Sequence, residues 1–274
     1  SDESNDQTTG HAHDGIEEYD NPLPRWWLYK FYGCILFGAI YLALYPGLGE
    51  WWPGLLNWTQ VNQWQKEVDK ADAEYGPLYA HYALMPLDQV ALDPKALKMG
   101  QRIFSTNCAV CHSSDAKGNY GFPNLTDNDW LFGDSPEIIE SSIANGRRAT
   151  PETMGVTMPA WEAVIGSTGI DQVAAYVMSL SGETADKTLA EKGQVIFSTN
   201  CAGCHGADAK GNQAMGAPNL SDEIWLYGGT PDQIRHSIRV GRAGVMPAHK
   251  DTLGSDRVHL VAAYIYSLSK QTAK

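Results

Sequence analysis

Two copies of Cys-x-x-Cys-His, at Cys108/Cys111/His112 and Cys201/Cys204/His205, constrain this chain more than any other feature. Each copy sits inside a longer duplicated background. The segment MGQRIFSTNCAVCHSSDAKGN, residues 99–119, aligns without gaps onto KGQVIFSTNCAGCHGADAKGN, residues 192–212. Further along, Pro123-Asn124-Leu125 matches Pro218-Asn219-Leu220, and Trp130 matches Trp225. Ser142, Gly146 and Arg147 match Ser237, Gly241 and Arg242, and Met158-Pro159-Ala160 matches Met246-Pro247-Ala248. The spacing between matched points drifts while the points persist, as expected of two copies of one structural unit. Each unit opens on an apolar helical pattern, Ile103 and Phe104 or Ile196 and Phe197, and closes on another, Ile170, Val173 and Val177 or Val258, Val261 and Ile265. The first helix is expected to cross the last where Gly100 or Gly193 leaves room.

Cys-x-x-Cys by itself also serves redox pairs and zinc sites. A zinc site wants further Cys or His ligands at ordered spacing, and a redox pair wants a strand-helix setting; neither is evident here. Two thiols at this spacing can bond the two vinyl groups of haem while the adjoining histidine reaches the iron. The doubled motif therefore predicts two covalently bound haems c, attached at Cys108, Cys111, Cys201 and Cys204, with His112 and His205 on the irons. A domain this small gains from the macrocycle an apolar core it could not otherwise assemble, so removing haem should unfold it. The fifth cysteine, Cys34, lies in an apolar run and reads as a small hydrophobe.

The sixth ligand decides the chemistry. Met158 and Met246, each followed by proline, are matched between the repeats and precede the closing helices. Met154, Met215, His236 and His249 compete, but none has a chemically equivalent partner in the other repeat. Each methionine is expected to serve the histidine of its own repeat, Met158 with His112 and Met246 with His205. Thioether favours ferrous iron and raises the potential relative to a second imidazole. With both axial positions filled, the irons should carry electrons and activate no substrate. Trp130 and Trp225 are candidates to pack on haem edges or donate an indole N–H to a propionate, and Arg147 and Arg242 to lie near propionates.

Before the repeats the chain changes character. The first 25 residues hold Asp2, Glu3, Asp6, Asp14, Glu17, Glu18 and Asp20 against Arg25 alone, and read as an extended polar tail. From Phe31 to Gly49 no charge appears, and with Trp26 to Tyr29 ahead of it the run is long enough to cross a bilayer core. Trp26 and Trp27 on one side and Trp51, Trp52 and Trp58 on the other resemble interfacial aromatic belts. Residues 57–72 carry Trp58, Val61, Trp64 and Val68 at helical spacing, and residues 73–94, rich in Tyr, Pro and Ala, read as a connecting segment. The polar stretch 181–188 reads as the junction between the repeats. A balance of 20 basic against 32 acidic residues, net −12, excludes a general nucleic-acid binder. Haem attachment takes place outside the bacterial cytoplasm, so the repeats should be periplasmic and the tail cytoplasmic, with Arg25 and Lys30 on the inner side.

Together, the run DGIEEYDNPLPRWW at residues 14–27, one apolar span and two Cys-x-x-Cys-His repeats with matched Met-Pro resemble the membrane-anchored dihaem cytochrome c subunit of cbb3-type cytochrome c oxidases. The resemblance implies an all-α fold: one N-terminal transmembrane helix followed by two class I cytochrome c domains in tandem. The expected divisions are an acidic tail at 1–25, an anchor at 26–50, an interfacial helix and linker at 51–94, and cytochrome domains at 95–182 and 187–271. It implies an electron-transfer subunit of the bacterial inner membrane, with no catalytic centre of its own, feeding a haem-copper catalytic subunit that reduces dioxygen to water. A monohaem cytochrome c subunit, a soluble or membrane cytochrome c donor and the lipid bilayer are the expected partners. A dihaem cytochrome c peroxidase and the dihaem subunit of a periplasmic dehydrogenase are the alternatives. The first would need an iron that opens for peroxide, and the second quinoprotein or flavoprotein partners.

Overall fold

The computed structural model describes residues 7–47, 51–148, 150, 153, 155–182 and 186–272. Met154 lies outside them. The chain divides into two compact units, Ser1–Glu74 and Tyr75–Lys274.

In the first unit the acidic tail is not a featureless extended segment. Strands β1 (Thr8–His13) and β2 (Ile16–Tyr19) form an antiparallel hairpin, which departs from the all-α expectation. The reason is Asp14-Gly15: both residues have positive φ, 53° and 80°, and Asp-Gly is a favoured pair for the tightest hairpin turns. Helix α1 (Arg25–Leu44) is exposed all round, from Trp26 and Tyr29 to Ile40 and Tyr41, as a helix that packs against lipid would be. It is the one helix among the described residues long and apolar enough to span a membrane. The chain then folds back on the helix end: Leu55 and Leu56 N–H donate to the carbonyls of Ala43 and Leu44 at 2.9 and 3.0 Å. The helix expected at 57–72 is α2 (Gln60–Ala83), which continues past Pro77 through much of the segment read as a linker.

The second unit starts in the last turns of α2, followed by α3 (Leu87–Val90). Two similar sets of helices come next. The first is α4 (Pro94–Asn107), α5 (Ala109–His112), α6 (Pro136–Asn145) and α7 (Glu162–Leu180). The second is α8 (Lys187–Asn200), α9 (Ala202–His205), α10 (Pro231–Val240), α11 (Lys250–Leu253) and α12 (Ser255–Thr272). Local chemistry fixes the helix starts. Asp93 caps α4 by accepting from Lys95 N–H at 2.7 Å, Asp186 caps α8 through Leu189 N–H at 3.0 Å, and Pro follows the caps Ser135 and Thr230 of α6 and α10.

The packing units do not coincide with the sequence repeats. Helix α4 packs on α12, at the far end of the chain, and α8 packs on α7. The glycine crossings show it directly. A Cβ on Gly100 would lie 2.4 Å from the Leu260 carbonyl oxygen, and one on Gly193 would lie 2.0 Å from that of Gln172. One lobe, lobe A, therefore combines α3 to α6 with α11 and α12. Its buried core holds Phe104, Ile139, Ile143, Val258, Leu260 and Val261. The other, lobe B, combines α7 with α8 to α10 around Phe197, Ile170, Val173, Val177, Ile234 and Ile238. Tyr264 lies on Phe104 in lobe A with ring centroids 5.6 Å apart, and Tyr176 on Phe197 in lobe B at 5.2 Å. The stretch read as a junction between domains instead joins two helices of one lobe.

The crossover happens at paired backbone bridges. Arg147 and Met246 exchange N–H···O bonds at 2.9 Å each, and Met158 and Arg242 do the same at 3.0 and 2.9 Å. Gly146 and Gly241 precede the arginines with φ of 70° and 75°. A side chain there would strike the Met246 or Met158 carbonyl at 2.4 or 2.3 Å. Only glycine reconciles that backbone with so close a strand, which accounts for the matched Gly-Arg pair.

Candidate functional site

Each Cys-x-x-Cys-His motif starts at the C-terminal end of a long helix and closes in a single turn. His112 and His205 end α5 and α9 and are buried. Their Nδ1 atoms lie 3.0 Å from the carbonyl oxygens of Pro123 and Pro218. A carbonyl only accepts, so Nδ1 carries the hydrogen and Nε2 is left with its lone pair, the tautomer an iron ligand needs. Burial, ahead of any other influence, lowers both histidine pKa values, which keeps the rings neutral. The duplicated Pro-Asn-Leu thus has a concrete role, because its proline carbonyl aims the imidazole.

The thiols point the same way. Cys108, Cys111, Cys201 and Cys204 are free. Burial, and secondarily the neighbouring cysteine, pushes Cys108 and Cys201 up to about 11. A thioredoxin-like redox pair would instead hold its sulfur in a setting that lowers the pKa.

Met158 and Met246 depart from the expected pairing. Met158 lines one cavity of about 530 Å³ together with Cys201, Cys204, His205 and Trp225. That volume suits a cofactor-sized ligand. Met246 packs instead into the core of lobe A, the one that contains Cys108. Each methionine thus belongs with the motif of the other repeat, because the Met-Pro loop travels with the exchanged closing helix. His249 travels with Met246, and its N–H donates to Ile143 O at 3.0 Å in lobe A. Its counterpart Trp161 donates to Ile238 O at 3.1 Å in lobe B.

The other matched residues separate. Trp130 Nε1 is buried without a hydrogen-bond partner, an orphaned donor that a haem carboxylate would satisfy. Arg147 and Arg242 are not loose turn cations. Arg147 lies 4.2 Å over the Phe132 ring and donates to Ser142 Oγ from Nε at 2.9 Å. Arg242 lies 4.1 Å over Tyr227 and donates to Ser237 Oγ at 3.1 Å. Stacked and hydrogen-bonded, they brace the crossover strands.

The sites approach each other through the loops that wall them. Gly121 N–H donates to Leu226 O at 2.8 Å, Gln213 Nε2 to Trp130 O at 3.0 Å, and the Tyr120 and Tyr227 rings meet edge-on at 5.8 Å. Tyr120 and Phe122 of lobe A also wall the cavity of lobe B. Sequence reasoning assigns no role to Tyr120 and does not single out Phe132 or Tyr227. Their common position after Trp130-Leu131 and Trp225-Leu226 is a signal within the repeat.

Carboxylates gather in the same region. Burial first, then the charges of Asp222 and Asp127, push Asp129 up to about 6, and Asp127 is raised chiefly by burial. Asp129 holds its proton more tightly in the folded chain than in the unfolded one, where an aspartate titrates near 4 (about 3.9). Its ionisation therefore removes stability as pH rises from about 4 through 6. Asp129→Asn should be more stable than the parent at pH 7 and lose that advantage at pH 4, as read from denaturant midpoints at the two pH values.

The residues present fit a covalently bound haem at each motif: a pair of thiols, an imidazole in the right tautomer, a thioether brought from the other repeat and, in lobe A, an unpaired buried donor. Comparison with known proteins agrees. Residues 5–52 match the family described as the N-terminal domain of cytochrome oxidase-cbb3, FixP. Residues 95–177 and 188–265 match cytochrome C oxidase, cbb3-type, subunit III. The chain is 44% identical over 269 residues to the cbb3-type cytochrome c oxidase subunit CcoP of Rubrivivax gelatinosus, covering 97% of this chain and 86% of that one. It is 42% identical over 271 residues to subunit FixP of Sinorhizobium medicae, covering 96% and 94%. Against subunit CcoP of Cereibacter sphaeroides the figures are 39% over 276 residues, 95% and 94%. The two haem-motif lobes, the apolar helix ahead of them and these matches along nearly the whole length lead to one conclusion: the chain belongs to the CcoP/FixP family of cbb3-type cytochrome c oxidase subunits.

Proposed function

We propose that this chain relays electrons from a cytochrome donor, through two His/Met c-type haems, to the haem-copper catalytic subunit of a cbb3-type oxidase that reduces dioxygen to water. As a member of its family it is the electron-relay component of the terminal oxidase and carries no catalytic centre. Helix α1 holds it in the inner membrane by one span. The tail is assigned to the cytoplasm and the haem lobes to the periplasm, the side on which haem is attached.

The observation that carries the reading is the locked histidine tautomer in both motifs, with a methionine loop delivered to each lobe. Cys108, Cys111, Cys201 and Cys204 would attach the haems; His112 with Met246, and His205 with Met158, would be the axial ligands. When bound, the two haems supply one-electron carriers. The protein's part would be to hold each iron between a histidine and a methionine, leaving no ligand position for substrate, with the two sites joined through the loops that wall them. Rigid, fully ligated sites need little rearrangement when charge arrives, which suits passage and not substrate activation. A monohaem cytochrome c subunit fits as a neighbour in the assembly, and a soluble or membrane cytochrome c as donor.

The test uses the detergent-solubilised oxidase. The mass of this chain should exceed its polypeptide mass by two haems, and both should be reduced by donor cytochrome before oxygen is consumed. A complex that oxidises donor cytochrome at an unimpaired rate after both Met158 and Met246 are replaced would overturn the relay.

A further inference from the structure

The two repeats are alike enough that two arrangements compete. In the contiguous one, α6 would pack on α7 and α10 on α12; in the observed one, α6 packs on α12 and α10 on α7. The features that hold either together are nearly the same in both. The glycine crossing meets Tyr264 in one lobe and the matched Tyr176 in the other, and the Gly-Arg bridges are duplicated. Apolar burial and backbone pairing therefore do not choose.

The ion pairs do. In lobe A, Glu140 of α6 faces His259 of α12, with Oε1 and Nδ1 3.0 Å apart. The ring's Nε2 faces the Met85 carbonyl, also at 3.0 Å, so the imidazole is held between a carboxylate and a backbone carbonyl. In lobe B the residue matching Glu140 is Arg235, and the residue matching His259 is Asp171. They pair at 3.0 Å with the charges reversed. A second pair lies nearby: Arg239 of α10 meets Glu162 of α7 at 3.3 Å, and the residue matching Glu162 is Lys250. Rebuilt contiguously, every one of these contacts turns unfavourable or is lost. Glu140 would face Asp171, Arg235 would face His259, and Arg239 would face Lys250.

We propose that the charge-reversed pairs Glu140–His259 and Asp171–Arg235, supported by Glu162–Arg239, select the exchanged arrangement and so decide which methionine serves which Cys-x-x-Cys-His motif. These are positioning residues; none lines the cavity at His205. A single exposed pair is worth little. Turning several from attraction to repulsion together is enough to separate two arrangements otherwise matched in packing. The inference stands on packing alone and does not depend on the relay reading.

The experiment uses the haem-loaded full-length chain in detergent, with a protease site placed between Gly182 and Asp186. After cleavage the halves of the parent remain interlocked through exchanged helices and co-elute until denaturant is added. The variant Glu140→Arg/Arg235→Glu sets like charges across both lobes of the observed arrangement and opposite charges across the contiguous one. Its cut halves should part on dilution, with retention shortened on the order of tenfold. Adding Asp171→Arg and His259→Asp restores opposite charges and should restore co-elution. Retention in the double variant equal to the parent, or a fourfold variant that fails to recover, overturns the selection. A double variant that does not fold at all leaves the decision to the fourfold variant, whose failure counts against the proposal. Cut halves of the parent that part on dilution would overturn the exchange itself.

Discussion

Met246→Ala is expected to expose the iron of the haem proposed at Cys108 and Cys111, more than a hundred residues upstream, and to leave the haem of its own repeat intact. Met246 packs into the lobe that contains Cys108, and Met158 lines the cavity with Cys201, Cys204 and His205. Losing the thioether lowers that haem's potential on the order of 0.1–0.3 V, within the roughly 0.8 V range over which axial ligands set it. It also opens one coordination position to carbon monoxide and peroxide. The two haems are told apart by covalent attachment. With a protease site between Gly182 and Asp186, peroxide bleaching followed by denaturing separation should destroy haem on the N-terminal fragment in Met246→Ala and on the C-terminal fragment in Met158→Ala. The reverse assignment would mean that each repeat ligates its own iron.

The second large effect is steric. Gly193→Ala places a methyl group 2.0 Å from the Gln172 carbonyl oxygen and 2.5 Å from its carbon, both backbone atoms of α7. Neither can rotate away, so α7 and α8 must separate, at a cost of about 3 kcal/mol. Gly100→Ala meets the Leu260 backbone in the same way, at 2.4 Å. Denaturant unfolding of the holoprotein should show the loss in each case, in different lobes. Gly193→Ala should loosen the site at His205, and Gly100→Ala the site at His112. A loss below about 0.5 kcal/mol, the scale of an ordinary surface substitution, would show that the helices do not cross so closely.

Much of this is legible in the residues because the repeat acts as its own alignment. The motifs, the matched methionines, the glycine crossings and the opening and closing helices all follow from comparing one half of the chain with the other. The exchange does not follow, and the reason is physical. A duplicated sequence carries duplicated faces, so α4 can close on α7 or on α12 with nearly the same apolar contacts. Only residues at which the copies differ, such as Glu140 against Arg235, carry the distinction, and a search for likeness passes over them. The hairpin in the tail is hidden for another reason. A polar, acidic stretch gives no buried alternation to read, and its signal is the two-residue turn Asp14-Gly15 alone. The continuation of α2 through Pro77 likewise shows tertiary support overriding a residue that usually ends a helix. Tyr82, Leu87 and Val90, just beyond, are buried against lobe A.

Lobe B is assembled from one continuous stretch, whereas lobe A needs α12 from the end of the chain. Synthesis runs from the N-terminus, so the earlier motif is the later one to be enclosed. Until α12 arrives, Cys108 lacks the helix that completes its core, so the first half of the chain waits on the last residues made.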